Sequence, residues 1–208
     1  TMLNFPPNHP EHAINEIAKL PGIGKRSALR IALHLTKSEK PEVEALAEAL
    51  LRLKTDLQEC QVCHNLSDTS LCEICSNPKR DAHTVCVVQD IRDVIAIENT
   101  QQYSGVYHVL GGVISPMDGV GPQQIRLQEL FDRVEAGNLK EVILALPATS
   151  EGDTTNFYIF KNVAGKVPVV TTIARGVGIG EELEYTDEVT LGRSLLARTD
   201  FETQYRKR

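Results

Sequence analysis

The chain has 208 residues, of which 41% are hydrophobic and 24% are charged, which is ordinary for a soluble globular protein with one substantial domain and a smaller one. The formal net charge of −6 excludes nucleic-acid binding by overall charge alone, so any such binding needs a local basic patch. No signal peptide opens the sequence and no apolar run approaches a membrane span, so we expect a cytoplasmic protein in a reducing compartment.

Two helices joined by a glycine-rich turn are predicted near the start of the chain. Glu11 opens the first helix, Pro21 ends it, and the second helix runs from Lys25. Gly22 and Gly24 lie between them, where they permit a tight turn and leave backbone N–H groups at the start of a helix. Such N–H groups bind anions, and a DNA phosphate is a suitable one.

A basic patch surrounds this turn. Between residues 19 and 40 there are six basic residues and one acidic residue, a local charge of +5 in an acidic protein. The segment Leu20-Pro-Gly-Ile-Gly-Lys25 resembles the helix-hairpin-helix motif of DNA repair proteins, which contacts phosphates without reading bases. The alternative is a plain helical hairpin with solvated lysines. The residues assigned to DNA binding are Gly22, Gly24, Lys25, Arg26 and Arg30.

Pro41 starts a third predicted helix with a narrow apolar seam along one side. Such a seam packs either on the hairpin helices of its own domain or on a second subunit, and the sequence leaves both open. The seam consists of Val43, Leu46, Leu50, Leu53 and Leu57.

Four cysteines follow as two Cys-x-x-Cys pairs separated by eight residues, Cys60 and Cys63 and then Cys72 and Cys75. Four thiolates at a tetrahedral site select zinc, and a closed set of four leaves no position for water or substrate, which predicts a structural ion. Two disulfides are the alternative, and a reducing compartment argues against them. Cys86 lies in an apolar run and is interpreted as a buried strand residue.

Short apolar runs alternate with amphipathic stretches from about residue 79 onward, which predicts a parallel sheet covered on both faces. The predicted strands are 84–89, 106–110, 141–146 and 167–172, and the predicted helices are 91–98, 123–135, 154–163 and 187–197. The six histidines show no ligand spacing and are interpreted as surface or core residues.

Carboxylates follow two of these strands. Asp90 comes after the first strand, and Glu151 and Asp153 come after the third. Active sites of open parallel sheets lie at the carboxyl ends of their strands, where acidic side chains can bind Mg²⁺. This part resembles a Toprim domain, in which a Glu after the first strand acts as acid or base and an acidic pair after the third binds magnesium. Gln89 stands in place of that Glu, and a neutral amide cannot act as a general base. A partner-binding surface and a solvated acidic rim are the alternatives.

Helix-hairpin-helix, four-cysteine finger and Toprim-like domain, in this order, resemble the RecR family of bacterial recombination mediators over nearly the whole chain. Further segments that match this family lie at 107–112, 147–153, 174–176 and 182–185. The resemblance implies a non-enzymatic, ring-forming homo-oligomer, typically a tetramer, that clamps DNA without reading its sequence. It also implies a nucleoid-associated protein that works with RecO and RecF to load recombinase onto gapped DNA.

The expected fold class is α+β with several domains. A helix-hairpin-helix bundle occupies 1–57, a four-cysteine zinc knuckle 58–78, and a Toprim-like α/β domain with a mainly parallel sheet 79–176. A C-terminal helix and tail at 177–208 is expected to contact another subunit.

Two further functions stay open at this point. A magnesium-dependent enzyme that cleaves or transfers phosphodiesters would use Asp90, Glu151 and Asp153, and Gln89 speaks against it. A protein adaptor would bind partners through the finger and the acidic sheet, with DNA held by another chain. The glycine-rich segment 175–180 lacks the lysine and hydroxyl of a phosphate loop, so it is assigned no nucleotide.

Overall fold

The computed structural model describes residues 8–200, and the chain separates into two units, Thr1–Leu57 and Gln58–Arg208. The described part of the first unit contains α1 (Asn8–Ile17), α2 (Lys25–Leu35) and α3 (Lys40–Thr55). Leu20 and Pro21 follow α1, and proline cannot continue a helix because it lacks an N–H.

A small apolar core joins α1 to α2. Ile14 of α1 and Ala28 and Ala32 of α2 are buried, and Ile17 and Ile23 pack against them. Because alanine has a short side chain, the two helices approach closely at this point. The core therefore fixes the turn between the helices, residues 18–24, which we name the hairpin turn.

The middle of the apolar seam of α3, at Leu46, Leu50 and Leu53, is exposed in the described part of the chain. No residue of this helix is buried, and the exposed fractions of Leu50 and Leu53 are 58% and 62%. Val43 and Leu57 at the two ends of the seam are half-buried, so packing on the hairpin helices and packing on a second subunit both stay open.

The second unit begins with a short knuckle. Its strands β1 (Gln58–Glu59) and β2 (Leu66–Ser67) pair antiparallel, with Glu59 opposite Leu66, and α4 (Glu73–Ser76) follows.

A four-stranded parallel sheet forms the centre of this unit, with strand order β4-β3-β5-β6. This confirms the predicted α+β class and the mainly parallel sheet. The strands are β3 (Asp81–Val88), β4 (Gly105–Val109), β5 (Glu141–Leu144) and β6 (Val169–Thr172), and the helices are α5 (Ile91–Asn99), α6 (Leu127–Glu135), α7 (Ser150–Val163) and α8 (Glu188–Leu196).

Both faces of the sheet are buried. Successive residues of a strand point to opposite faces, and in β3 both Val87 on one face and Val88 on the other are fully buried. Leu130 of α6 and Ile159 of α7 complete the larger cluster. Cys86 is buried in β3, which confirms its interpretation as a strand residue.

Two predicted helices begin at different residues in the structure. Instead of one helix over 123–135, Ile125 is extended with φ −125° and ψ 162°, and its side chain is buried in the core, so α6 begins only at Leu127. In contrast, α7 begins earlier than predicted because the side chain of Thr149 accepts a hydrogen bond from the Gly152 N–H at 3.1 Å.

Among the described residues, every helix is too short or too polar to cross a bilayer.

Candidate zinc centre and nucleic-acid interface

Four cysteine side chains converge in the knuckle. Their sulfur atoms all lie within 4.8 Å of one another, and the Sγ atoms of Cys63 and Cys72 are 3.5 Å apart. Cys60, Cys63 and Cys72 are buried and Cys75 is half-buried, and all four are free of disulfides. The closed set of four sulfurs fits tetrahedral zinc, which confirms the predicted structural zinc site and excludes the disulfide alternative.

Tight backbone turns bring these sulfurs together. The Cys60 N–H donates to the Asn65 carbonyl at 2.8 Å, and His64 adopts a left-handed conformation with φ 62° to close that turn. The Cys72 N–H donates to the Cys60 Sγ at 3.4 Å, and the Cys75 N–H donates to the Cys72 Sγ at 3.5 Å. Such N–H groups favour sulfur in its thiolate form.

The thiols differ in how readily they ionise. Burial opposes ionisation of Cys60, but hydrogen bonds from the backbone of Cys72, Val62 and Cys63 outweigh it and lower the pKa to about 6. For Cys72, burial is the largest cause and raises the pKa to about 11. Burial of neighbouring thiols opposes their ionisation together, and a zinc ion among them would offset this because a bound cation favours the thiolate form.

The knuckle is attached to the sheet at its β4 edge. The Val109 N–H donates to the Cys63 carbonyl at 2.8 Å, and Ile74 packs against the clusters on both faces of the sheet. The zinc site therefore lies against the Toprim-like domain.

In the first unit, the hairpin turn is open towards solvent. Gly22 has φ 80°, a conformation that favours glycine, and the Ile23 N–H closes the turn by donating to the Leu20 carbonyl at 3.1 Å. Gly24 precedes α2 without a side-chain cap, and no atom lies within 4 Å of a Cβ placed at either glycine. An anion can therefore approach the first backbone N–H groups of α2 closely.

Three cations assigned to DNA binding lie along α2. Lys25, Arg26 and Arg30 are exposed, and none of them forms an ion pair with a residue in the described part of the chain. Arg26 and Arg30 are one turn apart and share a face of the helix. In contrast, Lys19 pairs with Glu16 at 2.7 Å. The positive charge that is free for a ligand is therefore concentrated beside the hairpin turn.

Asp90 has a structural partner of its own. It caps α5 by accepting the Arg92 N–H at 2.7 Å, and its carboxylate also pairs with the Arg92 guanidinium. The hydrogen bond from the Arg92 side chain is the main cause that lowers the pKa of Asp90.

Asp153 is held in the same way by arginines from later in the chain. Two nitrogens of Arg175 contact its carboxylate, at 2.6 and 3.2 Å, and Arg193 of α8 lies 3.8 Å away. Sequence reasoning missed these partners because no local pattern connects residues so far apart in the chain.

The three acids proposed for magnesium do not converge in the structure. Glu151 and Asp153 lie in the first turn of α7, while Asp90 caps α5. Within residues 10–200, the four cysteines are the one group of three or more potential ligands close enough to hold an ion. The magnesium or partner role of the acids stays a prediction.

Fold and site together define a class of protein in which a four-cysteine zinc finger follows a helix-hairpin-helix unit and precedes a Toprim domain. Residues 83–174 match the Toprim domain family. Three further matches are to domains described as the RecR helix-hairpin-helix at 11–54, the RecR four-cysteine zinc finger at 57–77 and the RecR C-terminal domain at 176–199.

Curated relatives cover nearly the whole chain. A recombination protein RecR of Phocaeicola vulgatus is 58% identical over 191 residues, which span 92% of this chain and 93% of that protein. Proteins of the same name from Flavobacterium johnsoniae and Cytophaga hutchinsonii are each 55% identical, over 94% and 97% of this chain and 95% and 99% of their own lengths. The chain belongs to the RecR family of recombination proteins.

Proposed function

We propose that the chain is a non-enzymatic, sequence-independent DNA-binding clamp in recombinational DNA repair. In this proposal a homo-oligomer, a tetrameric ring, surrounds DNA and helps RecO and RecF to load recombinase onto gapped DNA. The protein acts in the cytoplasm, on the nucleoid. Its domains are those expected from the sequence, at 1–57, 58–78, 79–176 and 177–208.

One observation supports the DNA-binding part above the others. The hairpin turn has open space at Gly22 and Gly24 and leads into a helix start without a side-chain cap. On that helix, Lys25, Arg26 and Arg30 are exposed and form no ion pair with the described residues. Backbone N–H groups and basic side chains bind phosphates of any sequence, so such a site gives affinity and position without base readout.

The ring requires surfaces that bind other subunits. Among the described residues, α3 exposes Leu50 and Leu53 in the middle of its seam, and α8 exposes 61% of Leu195 and 85% of Leu196. Apolar surface of this size favours burial against another subunit. We therefore assign α3 and the C-terminal segment to subunit contacts.

The absence of an enzymatic role belongs to the same proposal. Gln89 cannot act as a base, and Asp90 and Asp153 are already paired with arginines. An arginine pair reduces the charge that a carboxylate offers to Mg²⁺.

The experiment is fluorescence anisotropy of an end-labelled duplex, titrated with protein in Mg²⁺ at several salt concentrations. The slope of log K against log salt is negative, and each lost phosphate contact reduces its magnitude by about 0.9. Lys25→Ala with Arg26→Ala should therefore make the slope shallower by about 2. The matched control is Lys140→Ala with Lys161→Ala, which removes the same charge from exposed positions of the second unit.

An unchanged slope in the first double variant, or an equal loss in the control, would refute the assignment to the hairpin turn. Decay of the anisotropy to the value of short fragments, dependent on Mg²⁺ and abolished by Asp153→Ala, would instead establish the phosphodiester-cleaving enzyme. Absent DNA binding alongside tight binding to a second repair protein would establish the adaptor.

A further inference from the structure

A half-buried arginine lies near the zinc knuckle without a carboxylate partner. Arg133, in the last turn of α6, donates from Nη1 to the Tyr107 carbonyl at 2.8 Å. In the part of the chain that the structure describes, it forms no ion pair with Asp or Glu. Because a buried charge without a counter-charge is costly, this arrangement needs an explanation.

The β4 edge places Arg133 next to the cysteines. The Leu110 N–H points to β3, where it donates to the Val88 carbonyl at 3.0 Å, so Tyr107 and Val109 direct their backbone groups away from the sheet. Val109 binds the Cys63 carbonyl at 2.8 Å, and Tyr107 binds Arg133. Tyr107 and Val109 are two residues apart, which corresponds to about 7 Å along a strand. The Arg133 guanidinium and the Cys63 carbonyl therefore contact adjacent outward-facing positions of the β4 edge.

The Arg133 guanidinium and the zinc site carry charges of opposite sign. Four cysteine thiolates with one Zn²⁺ ion carry a net charge of −2, and no other part of the ligand set offsets it. Burial lowers the pKa of Arg133, and the sulfurs of Cys75, Cys63 and Cys60 act in the opposite direction. Three of the four groups that favour the charged guanidinium are thus zinc ligands, and the fourth is Tyr103.

We propose that Arg133 is the counter-cation of the zinc site, a positioning residue whose positive charge offsets the net negative charge of the zinc ion and its four sulfurs without touching the metal. The two charges then stabilise one another: Arg133 raises zinc affinity, and bound zinc stabilises the buried arginine.

Arg80 provides a matched control on the same strand edge. It donates to the Gly105 carbonyl at 3.3 Å and to the Tyr103 carbonyl at 3.1 Å, as Arg133 does to Tyr107. However, Arg80 already pairs with the carboxylate of Glu98. Removal of Arg80 therefore removes an edge contact without removing a charge that serves the zinc.

The experiment measures zinc affinity of the full chain by competition with a chromophoric chelator, for Arg133→Gln, Arg133→Lys and Arg80→Gln. Gln keeps an N–H donor for the Tyr107 carbonyl and loses the charge, while Lys keeps the charge. Loss of a group that supports metal ligands typically lowers affinity by about 10- to 100-fold, and we expect this for Arg133→Gln. Arg133→Lys and Arg80→Gln should retain the wild-type affinity to within a small factor.

Wild-type zinc affinity in Arg133→Gln would overturn the proposal, and so would an equal loss in Arg133→Lys, which would indicate shape and not charge. A second measurement serves if Arg133→Gln folds poorly. In Arg133→Met, removal of zinc by a chelator should lower the melting temperature less than in the wild type, since no buried charge is left uncompensated. An equal or larger decrease would contradict the proposal.

Discussion

His108 should make the stability of the second unit depend on pH. Its side chain is fully buried on β4, and Nε2 lies 2.7 Å from the Arg126 carbonyl, which fixes the proton on Nε2. Nδ1 is buried and has no partner among the described residues. Burial is the main cause that lowers the pKa of His108 to about 4, so the folded protein keeps this ring neutral.

The size of the effect follows from the difference between the folded and unfolded pKa values. The unfolded chain binds a proton near the ordinary value of 6.5, and the folded protein binds it only near 4. The contribution is therefore complete above pH 6.5 and is lost as the pH falls towards 4. Each pH unit is worth about 1.4 kcal/mol, so the whole window is worth about 3 kcal/mol.

The assay is urea unfolding of the wild type and His108→Gln at pH 7, 6 and 5. Glutamine can donate to the Arg126 carbonyl but does not titrate. The free energy of unfolding should fall by about 1.2 kcal/mol more in the wild type than in the variant between pH 6 and 5. The variant keeps the other titratable groups of the chain, including His64, whose ring centroid lies 5.4 Å from that of His108. A difference between the two proteins that does not change with pH would refute a neutral, buried His108.

Three further predictions concern single positions. Gly22→Ala should cost about 1 kcal/mol in thermal melts, since φ is 80°, whereas Gly24→Ala at φ −82° should leave stability unchanged and weaken duplex binding in anisotropy titrations. Equal stability losses at the two glycines would contradict this. Gly152→Ala places a Cβ 2.0 Å from the Pro147 carbonyl oxygen, so the free energy of unfolding measured in urea should fall by about 1–3 kcal/mol. An unchanged free energy of unfolding would show that the backbone at Pro147 moves to make room for the methyl group. Cys72→Ser should lower zinc content, measured by atomic emission, together with solubility, and a well-folded protein without metal would sink the structural role of the ion.

The sequence predicts best those features that depend on local spacing. Two Cys-x-x-Cys pairs bring four sulfurs into reach of one ion whatever the rest of the fold does, and strands of valine predict a sheet buried on both faces. The hairpin turn can also be predicted from local sequence, because Gly22 adopts a backbone conformation that other residues avoid.

Features that depend on tertiary contacts were missed or left open. Ile125 interrupts a good helical pattern because the core requires its side chain, and nothing within the pattern indicates this. The cap of α7 by Thr149 was a local signal that the prediction did not use. The partners of Asp153 and Arg133 lie many residues away, so only the folded chain reveals that Asp153 pairs with Arg175 and that Arg133 donates to the Tyr107 carbonyl.

Attachment of the knuckle to β4 also covers part of the outer edge of the sheet. An outer strand with unpaired N–H and C=O groups is a template for strands of other molecules. All five residues of β4, Gly105–Val109, are buried, so the strand offers no charged side chain that would repel such a partner. The knuckle occupies the Val109 N–H, and the knuckle keeps its shape only with zinc bound. Together with Arg80 on the Gly105 carbonyl and Arg133 on the Tyr107 carbonyl, the knuckle leaves few groups of this edge open to a strand of another molecule.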